Sequence, residues 1–283
     1  MTLTAFTLII IAAVLHAIWN FAAKKASGNL SVIYLGLFLA CIIFFPFLFI
    51  LSPAEIFVAA AYPYIIATGI IHALYFFVLA KAYEHGDISI AYPIARGTGI
   101  AGTAIAAFLL LTEKISPIGA SGILIICIGT VLLGFRQNHG NEENHYKGII
   151  YALTVGIAIM TYSIVDKVAV GIIHPLAYIY GLALLTPVFL TPYMVAKKRR
   201  EIVEAWSNMK RYCFVIGIGS MGTYMIILFA FQMANVSYVV AVRETSVAIG
   251  AFMGVKFLGE HFSVRKVIGV LAIVAGMVLI KLA

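Results

Sequence analysis

The chain has 283 residues, 63% of them hydrophobic and 11% charged, with a formal net charge of +8. Soluble domains carry about a quarter charged residues, so this composition excludes a soluble globular fold, and its apolar content equally excludes intrinsic disorder. The three cysteines, Cys41, Cys127 and Cys213, lie far apart inside apolar runs. They have neither disulfide nor zinc spacing and read as small packing residues.

Apolar runs long enough to cross a bilayer, about 20 residues each, sit near 4–23, 30–51, 58–82, 88–111, 116–135, 148–167, 175–196, 211–233, 236–258 and 263–282. The first has no Lys or Arg ahead of it and carries His16, Trp19 and Asn20 within it, so it reads as a mature helix rather than a removable signal. Short polar breaks separate the runs, the longest at 136–147 and 197–210. Backbone groups in lipid must be satisfied within their own segment, so the runs are helices. The alternating segments of about ten residues that mark a barrel are missing. The expectation is an all-α membrane protein with ten transmembrane helices, multi-pass in the cell (inner) membrane.

The basic excess reports orientation, not nucleic acid. Lys114, Lys167 and Lys281 fall on the side of the two termini. The opposite side holds Lys24, Lys25, Lys81, Arg136, Lys147, 197–200, Lys210, Arg211, Lys256, Arg265 and Lys266. By the positive-inside rule both termini lie outside.

Displaced by 147 residues, the chain matches itself. Arg96 falls on Arg243, Thr98 on Thr245, Glu113 on Glu260, Ser116 on Ser263, Gly122 on Gly269 and Gly129 on Gly276. Charge is scarce here, so the Arg and Glu pairs carry the match. One inserted residue earlier, Ser89 also falls on Ser237. The chain therefore divides into halves at 1–136 and 148–283 joined by a polar linker at 137–147. Five crossings per half invert the second copy, the architecture of secondary transporters, whose substrate site lies at the repeat interface.

The ends of the fourth and ninth runs read Leu110-Leu-Thr-Glu113-Lys-Ile-Ser-Pro117 and Phe257-Leu-Gly-Glu260-His-Phe-Ser263, each followed by a Gly-spaced closing helix. With the two five-helix halves, they make the chain resemble an EamA-type member of the drug/metabolite transporter superfamily over nearly its whole length. His16-Ala-Ile-Trp19-Asn20 and Ala91-Tyr-Pro93-Ile-Ala-Arg96-Gly97 resemble, more weakly, a subgroup associated with phosphonate-use gene clusters. The resemblance implies transport of a small molecule and termini drawn on the cytoplasmic side, the reverse of the charge count.

Polar residues within the runs are the informative minority, because they are costly in lipid and face protein or a water-filled cavity. Arg96 lies eight residues into its run, roughly 12 Å deep at 1.5 Å per residue. Arg243 sits at the matched depth of the ninth. Guanidinium stays charged and grips carboxylate or phosphate bidentately. Both therefore read as substrate-binding groups for an anionic or zwitterionic substrate, as well as candidates for internal pairing. Glu244, the next residue after Arg243, points about 100° away on a continuous helix. Pro93, one turn before Arg96, predicts a kink.

His16 and Asn20 are four apart and share a helix face with Trp19 beside them. His72 and Tyr75 share another. These five join the substrate-binding candidates. His16 and Glu244 are the candidates for proton coupling. Tyr162 and Asp166 share a face, and Asp166, near the helix end, reads either as a member of that polar face or as a simple cap; Tyr224 and Tyr238 add hydroxyls. Tyr83, Tyr178 and Tyr193 read as interfacial anchors. Glu113 and Glu260 read as helix-end structure, paired with Lys114 or Arg265. Gly97, Gly99, Gly102, Gly250 and Gly254 read as close-packing positions.

No Gly-rich phosphate loop, nucleophile elbow or zinc-spaced set is present, and His139 and His145 read as solvated linker. The chain is thus read as no enzyme, with no cofactor and no metal. The expected function is secondary active transport of a small polar metabolite (amino acid, organic acid or phosphonate-like) by alternating access, coupled to protons. The alternative is a flippase for a phosphate-bearing lipid carrier. The expected partners are a small-molecule substrate and the bilayer, the chain acting as monomer or homodimer.

Overall fold

The computed structural model describes all residues except 27, 86–87, 135–141 and 259–262, and the side chains outside 83–93, 134–145 and 258–262. The described residues form helices and no strands. In the first half, α1 spans Leu3–Lys25, α2 Leu30–Phe44, α3 Pro53–Ile56, α4 Tyr62–His85, α5 Ile88–Leu110 and α6 Pro117–Gly134. In the second, α7 spans Glu142–Ala169, α8 Pro175–Lys197, α9 Arg199–Asn208, α10 Lys210–Met233, α11 Val236–Arg243, α12 Thr245–Leu258 and α13 Val264–Leu282.

Local chemistry sets the ends. The Thr2 hydroxyl accepts from Ala5 N at 3.3 Å and starts α1, and Asn29 Oδ1 accepts from Ser31 N at 2.8 Å and starts α2. Pro46 has no N–H to give, so α2 tightens into a 3-10 turn over Phe45–Ile50. Ser52 and Glu55 close a capping box on α3.

Seven segments among the described residues are long and apolar enough to cross a bilayer: Leu3–Lys25, Leu30–Ile50, Pro53–Ala82, Tyr146–Ala169, Pro175–Lys197, Lys210–Met233 and Val236–Phe257. Ile94–Leu110 and Pro117–Leu133 are shorter apolar helices. The protein is therefore a multi-pass helical membrane protein.

Three segments differ from their reading in sequence. The end of the polar linker is helical, because α7 begins at Glu142, where Glu and Lys favour the helix. The break at 197–210 contains α9, braced by Lys198–Glu201 at 2.7 Å and Arg200–Glu204 at 2.9 Å. The ninth run is two helices, not one. The Thr245 hydroxyl donates to Val242 O at 2.7 Å, the Glu244 amide bonds back to Ala241 O at 3.1 Å and to Val242 O, and this single turn at Glu244 separates α11 from α12. Its counterpart α5 runs unbroken from Ile88 to Leu110. The side chain of Pro93 lies outside those described.

Helix pairing follows the repeat. α1 packs on α10 as α4 packs on α7, α2 on α10 as α4 on α8, and α1 on α11 and α12 as α7 on α5. The closing helices α6 and α13 cross each other antiparallel, Gly122 against Gly276 and Gly129 against Gly269. A Cβ on Gly122 would stand 2.8 Å from Gly276 O, and one on Gly269 would stand 2.9 Å from Gly129 O, so both backbones need glycine to approach this closely. Gly99 and Gly102 likewise seat Ile159 and Met160 of α7, as their sequence reading expects, but Gly250 has nothing within 4 Å. Gly250 faces the cavity described next.

Candidate functional site

The broken ninth span places Arg243 and Glu244 beside α5 and α1. Arg96 of α5 donates through Nη1 to Glu244 Oε1 at 3.1 Å, and Arg243 Nη2 lies 3.8 Å from the same oxygen. The two residues that a continuous helix would point apart thus meet in one cluster. On the other side of Arg96, its Nη2 is 3.3 Å from His16 Nε2. A guanidinium only donates, so Nε2 accepts and the His16 ring proton sits on Nδ1. The His16 ring meets Trp19 edge-on at 4.9 Å.

All four charged or titratable members are buried, Arg243 to 2% and Glu244 to 1% exposure. Counting two guanidinium groups and one carboxylate, the cluster holds one positive charge in excess. Its hydrogen bonding is also incomplete: Arg243 Nε and Nη2 and Glu244 Oε2 have no hydrogen-bond partner. Buried charged donors left in this condition are costly, and a ligand's oxygens or water would satisfy them.

A cavity of about 620 Å³ lies against this cluster. Arg96, Trp19, Asn20 and Tyr75 line it, as do Lys24, Lys266, Ser246 and Gly250. Its lining reaches the end of α1, the start of α13 and Gly28, on the side of the basic loops. No acidic residue is among the described residues that line it. Lys24 and Lys266 were counted in sequence only as markers of orientation. Lys24 falls on the stripe His16, Asn20, Lys24, each four residues on, and that spacing was the signal available.

The terminal side is sealed by polar contacts between the halves. Glu113 accepts from Val236 N at 2.6 Å, from Ser237 N at 3.3 Å and from Ser237 Oγ at 2.8 Å. It therefore caps α11 across the halves rather than pairing with Lys114. Tyr238 OH accepts from Ser116 N at 3.0 Å, Asn235 Nδ2 donates to Lys114 O at 3.1 Å, and Lys281 Nζ donates to Met1 O at 2.9 Å. The matched Glu260 lies outside the described residues, as do His139 and Arg136.

His72 does not line the cavity. Its Nδ1 is 3.0 Å from both the hydroxyl and the carbonyl of Thr68, and its ring stacks on Tyr162 at 4.4 Å. Asp166 is fully buried and takes part in a side-chain network, so of its two readings the polar face describes it and the simple cap does not. Tyr178 is buried too and donates to Asp166 Oδ1 at 2.6 Å, so it is not an interfacial anchor. Among the described residues no group of three His, Cys, Asp or Glu could hold a metal ion.

Fold and site together define a helical membrane protein built of two matched halves around a basic cavity. The EamA-like transporter family profile matches residues 3–135 and 146–282, once in each half, and the chain belongs to that family of membrane transporters. A solved crystal structure of a protein superposes with a TM-score of 0.77 over 100% of this chain and 98% of the other, at 15% identity, which shows a shared fold. Among curated proteins, the spermidine export protein MdtI of Salmonella paratyphi B and that of Salmonella newport are each 33% identical over 60 residues, 21% of this chain and 55% of theirs. The chain thus spans about half the length of the curated relatives it matches.

Proposed function

We propose that this protein is a secondary active transporter of a small polar metabolite carrying a carboxylate, phosphate or phosphonate group. Its ten crossings would form inverted halves, 1–136 and 148–283, that rock about the central site in the cell membrane. The observation that carries this reading is the cavity of about 620 Å³ with Arg96 in its wall and the unsatisfied donors of Arg243 behind it. Arg96 and Arg243 would hold the anionic group, and Asn20, Trp19 and Tyr75 the rest of the substrate. Glu244 already occupies the place of a carboxylate between the two guanidinium groups, so an arriving anion would compete with it. Protonation of Glu244 or His16 would then accompany binding, which couples substrate to protons. His72 serves the site from the second layer, through Tyr75, whose ring centroid is 6.4 Å away.

The relatives' name specifies spermidine, a polycation. The basic residues at this cavity repel such a cargo, which favours anions and zwitterions here. Uptake of labelled amino acids, organic acids, phosphonates and spermidine into proteoliposomes under a proton gradient tests the reading. Movement of an anionic or zwitterionic compound supports it, and movement of spermidine alone overturns it. Translocation of a phosphate-bearing lipid in the same vesicles would instead establish the flippase alternative.

A further inference from the structure

Asp166 lies apart from the arginine cluster and is fully buried near the end of α7. Its Oδ1 accepts from Thr68 Oγ1 at 2.7 Å and from Tyr178 OH at 2.6 Å, and its Oδ2 accepts from Tyr224 OH. The donors come from α4, α8 and α10, so one carboxyl group ties together helices of both halves. Among the described residues no Lys or Arg pairs with it. Lys167, the next residue, is turned to the carbonyls of Phe231 and Ala234 instead. Hydroxyl donors alone leave a buried carboxylate without a counter-charge, a costly arrangement that binding a proton relieves.

The geometry also supplies a route. Thr68 has a single hydroxyl proton and a carboxylate can only accept, so that proton points at Asp166. His72 Nδ1, 3.0 Å from Thr68 Oγ1 and O, must then carry its own proton toward Thr68. The His72 ring lies against Tyr75, a residue of the cavity wall. A sodium-sized ion fits less well, because it needs six or so converging oxygens and three hydroxyls already point their protons at this carboxyl. Displaced by 146 residues, His16 and Asn20 fall on Tyr162 and Asp166, so Asp166 holds in α7 the place that the cavity residue Asn20 holds in α1.

We propose that His72, Thr68 and Asp166 form a proton relay from the cavity to the sealed terminal side, with Asp166 as its acceptor. A proton arriving from the cavity binds His72 Nε2. The Nδ1 proton passes to Thr68 Oγ1, and the Thr68 hydroxyl proton passes to Asp166 Oδ1. The result is a neutral Asp166 and a neutral His72 in the other tautomer, with no net change at Thr68. The other groups facing the carboxyl or the relay are Tyr162 and Lys167 on α7, Tyr178 on α8 and Tyr224 on α10; the charge of Arg243 on α11 also reaches His72 and Tyr224.

The gradient-driven part of the test rests on the transport reading, and an infrared measurement on purified protein does not. Infrared difference spectra taken across a pH titration show a carboxylic acid C=O band in the parent. The band is lost in Asp166→Asn and displaced in frequency in Asp166→Glu. A band unchanged in both variants overturns the relay. In proteoliposomes, Thr68→Val abolishes accumulation driven by a proton gradient while substrate counterflow persists, and Thr68→Ser restores accumulation. Gradient-driven accumulation that survives Thr68→Val overturns the proposal, and so does equal loss of counterflow. A parent protein that transports nothing refutes the transport reading, while the infrared bands still decide the role of Asp166.

Discussion

Glu244 Oε1 lies 3.1 Å from Arg96 Nη1, joining the break in the second half's ninth span to the unbroken fourth span of the first half. Both groups are buried, so each depends on the other for its nearest counter-charge.

Glu244→Gln removes the carboxylate and leaves two buried guanidinium groups facing each other. Breaking a buried ion pair at one end costs about 3–5 kcal/mol. The thermal unfolding midpoint of the purified variant should fall accordingly, and a bound anionic substrate should restore part of the loss. A variant as stable as the parent would show that Glu244 does not neutralise the cluster.

Arg96→Gln should abolish uptake of the anionic substrate. Arg96→Lys should fail to restore it, because a point charge does not reproduce the fork that spans Glu244 and His16. Transport rates and substrate-induced stabilisation of the two variants measure this. Full uptake by Arg96→Gln would place the binding group elsewhere.

Glu113→Ala deprives Val236 N and Ser237 of their acceptor. Losing a helix cap costs about 1 kcal/mol, enough to shift a two-state balance toward the state open at the termini. In a background lacking the three native cysteines, Ala241→Cys should react faster with a membrane-impermeant thiol reagent when Glu113 is absent. Unaltered labelling would mean that the cap is not part of the seal.

Gly276→Leu and Gly250→Leu should separate packing from passage. At Gly276 a Cβ would stand 2.6 Å from Gly122 O, so α6 and α13 must part and stability should fall by about 1–3 kcal/mol. At Gly250 the space is open, so the protein should stay folded and lose transport as the cavity narrows. Melting curves and uptake on the same two preparations check both halves of the prediction.

A reporter fused after Ala283 decides the facing of the molecule. The positive-inside rule would put the termini outside and the cavity mouth inside, whereas the resemblance to the drug/metabolite transporter superfamily implies termini inside. A fusion active only in the periplasm or exterior supports the first arrangement.

Membrane residence and the matched halves were legible because charge is so scarce that each apolar run, and each Arg or Glu repeated at 147 residues, stands out. Arg96 and Arg243 were visible for the same reason. The break at Glu244 was not, since neither Pro nor Gly marks it and the Thr245 hydroxyl acts only through the turn it helps to make. Tyr178 was misread and Asp166 was left open between a polar face and a cap, because position near a run's end resembles anchoring or capping, while their burial depends on α4 and α10 arriving from afar in sequence. Lys24 and Lys266 look like orientation signals until the helix ends are brought round one cavity.

The unequal fourth and ninth spans, one continuous and one broken, bear on energy as well as shape. Exchanging the conformations of the two halves would rebuild the same inventory of helix pairs with the opening on the other face. Two end states assembled from the same kinds of helix pair would lie close in free energy. What would separate them is the set of places where the copies diverge in charge and polarity, such as Asp166 where the first half has Asn20, or Glu244 where it has Gly97. In such a transporter, directionality would be written in the mismatches between duplicates rather than in the fold they share.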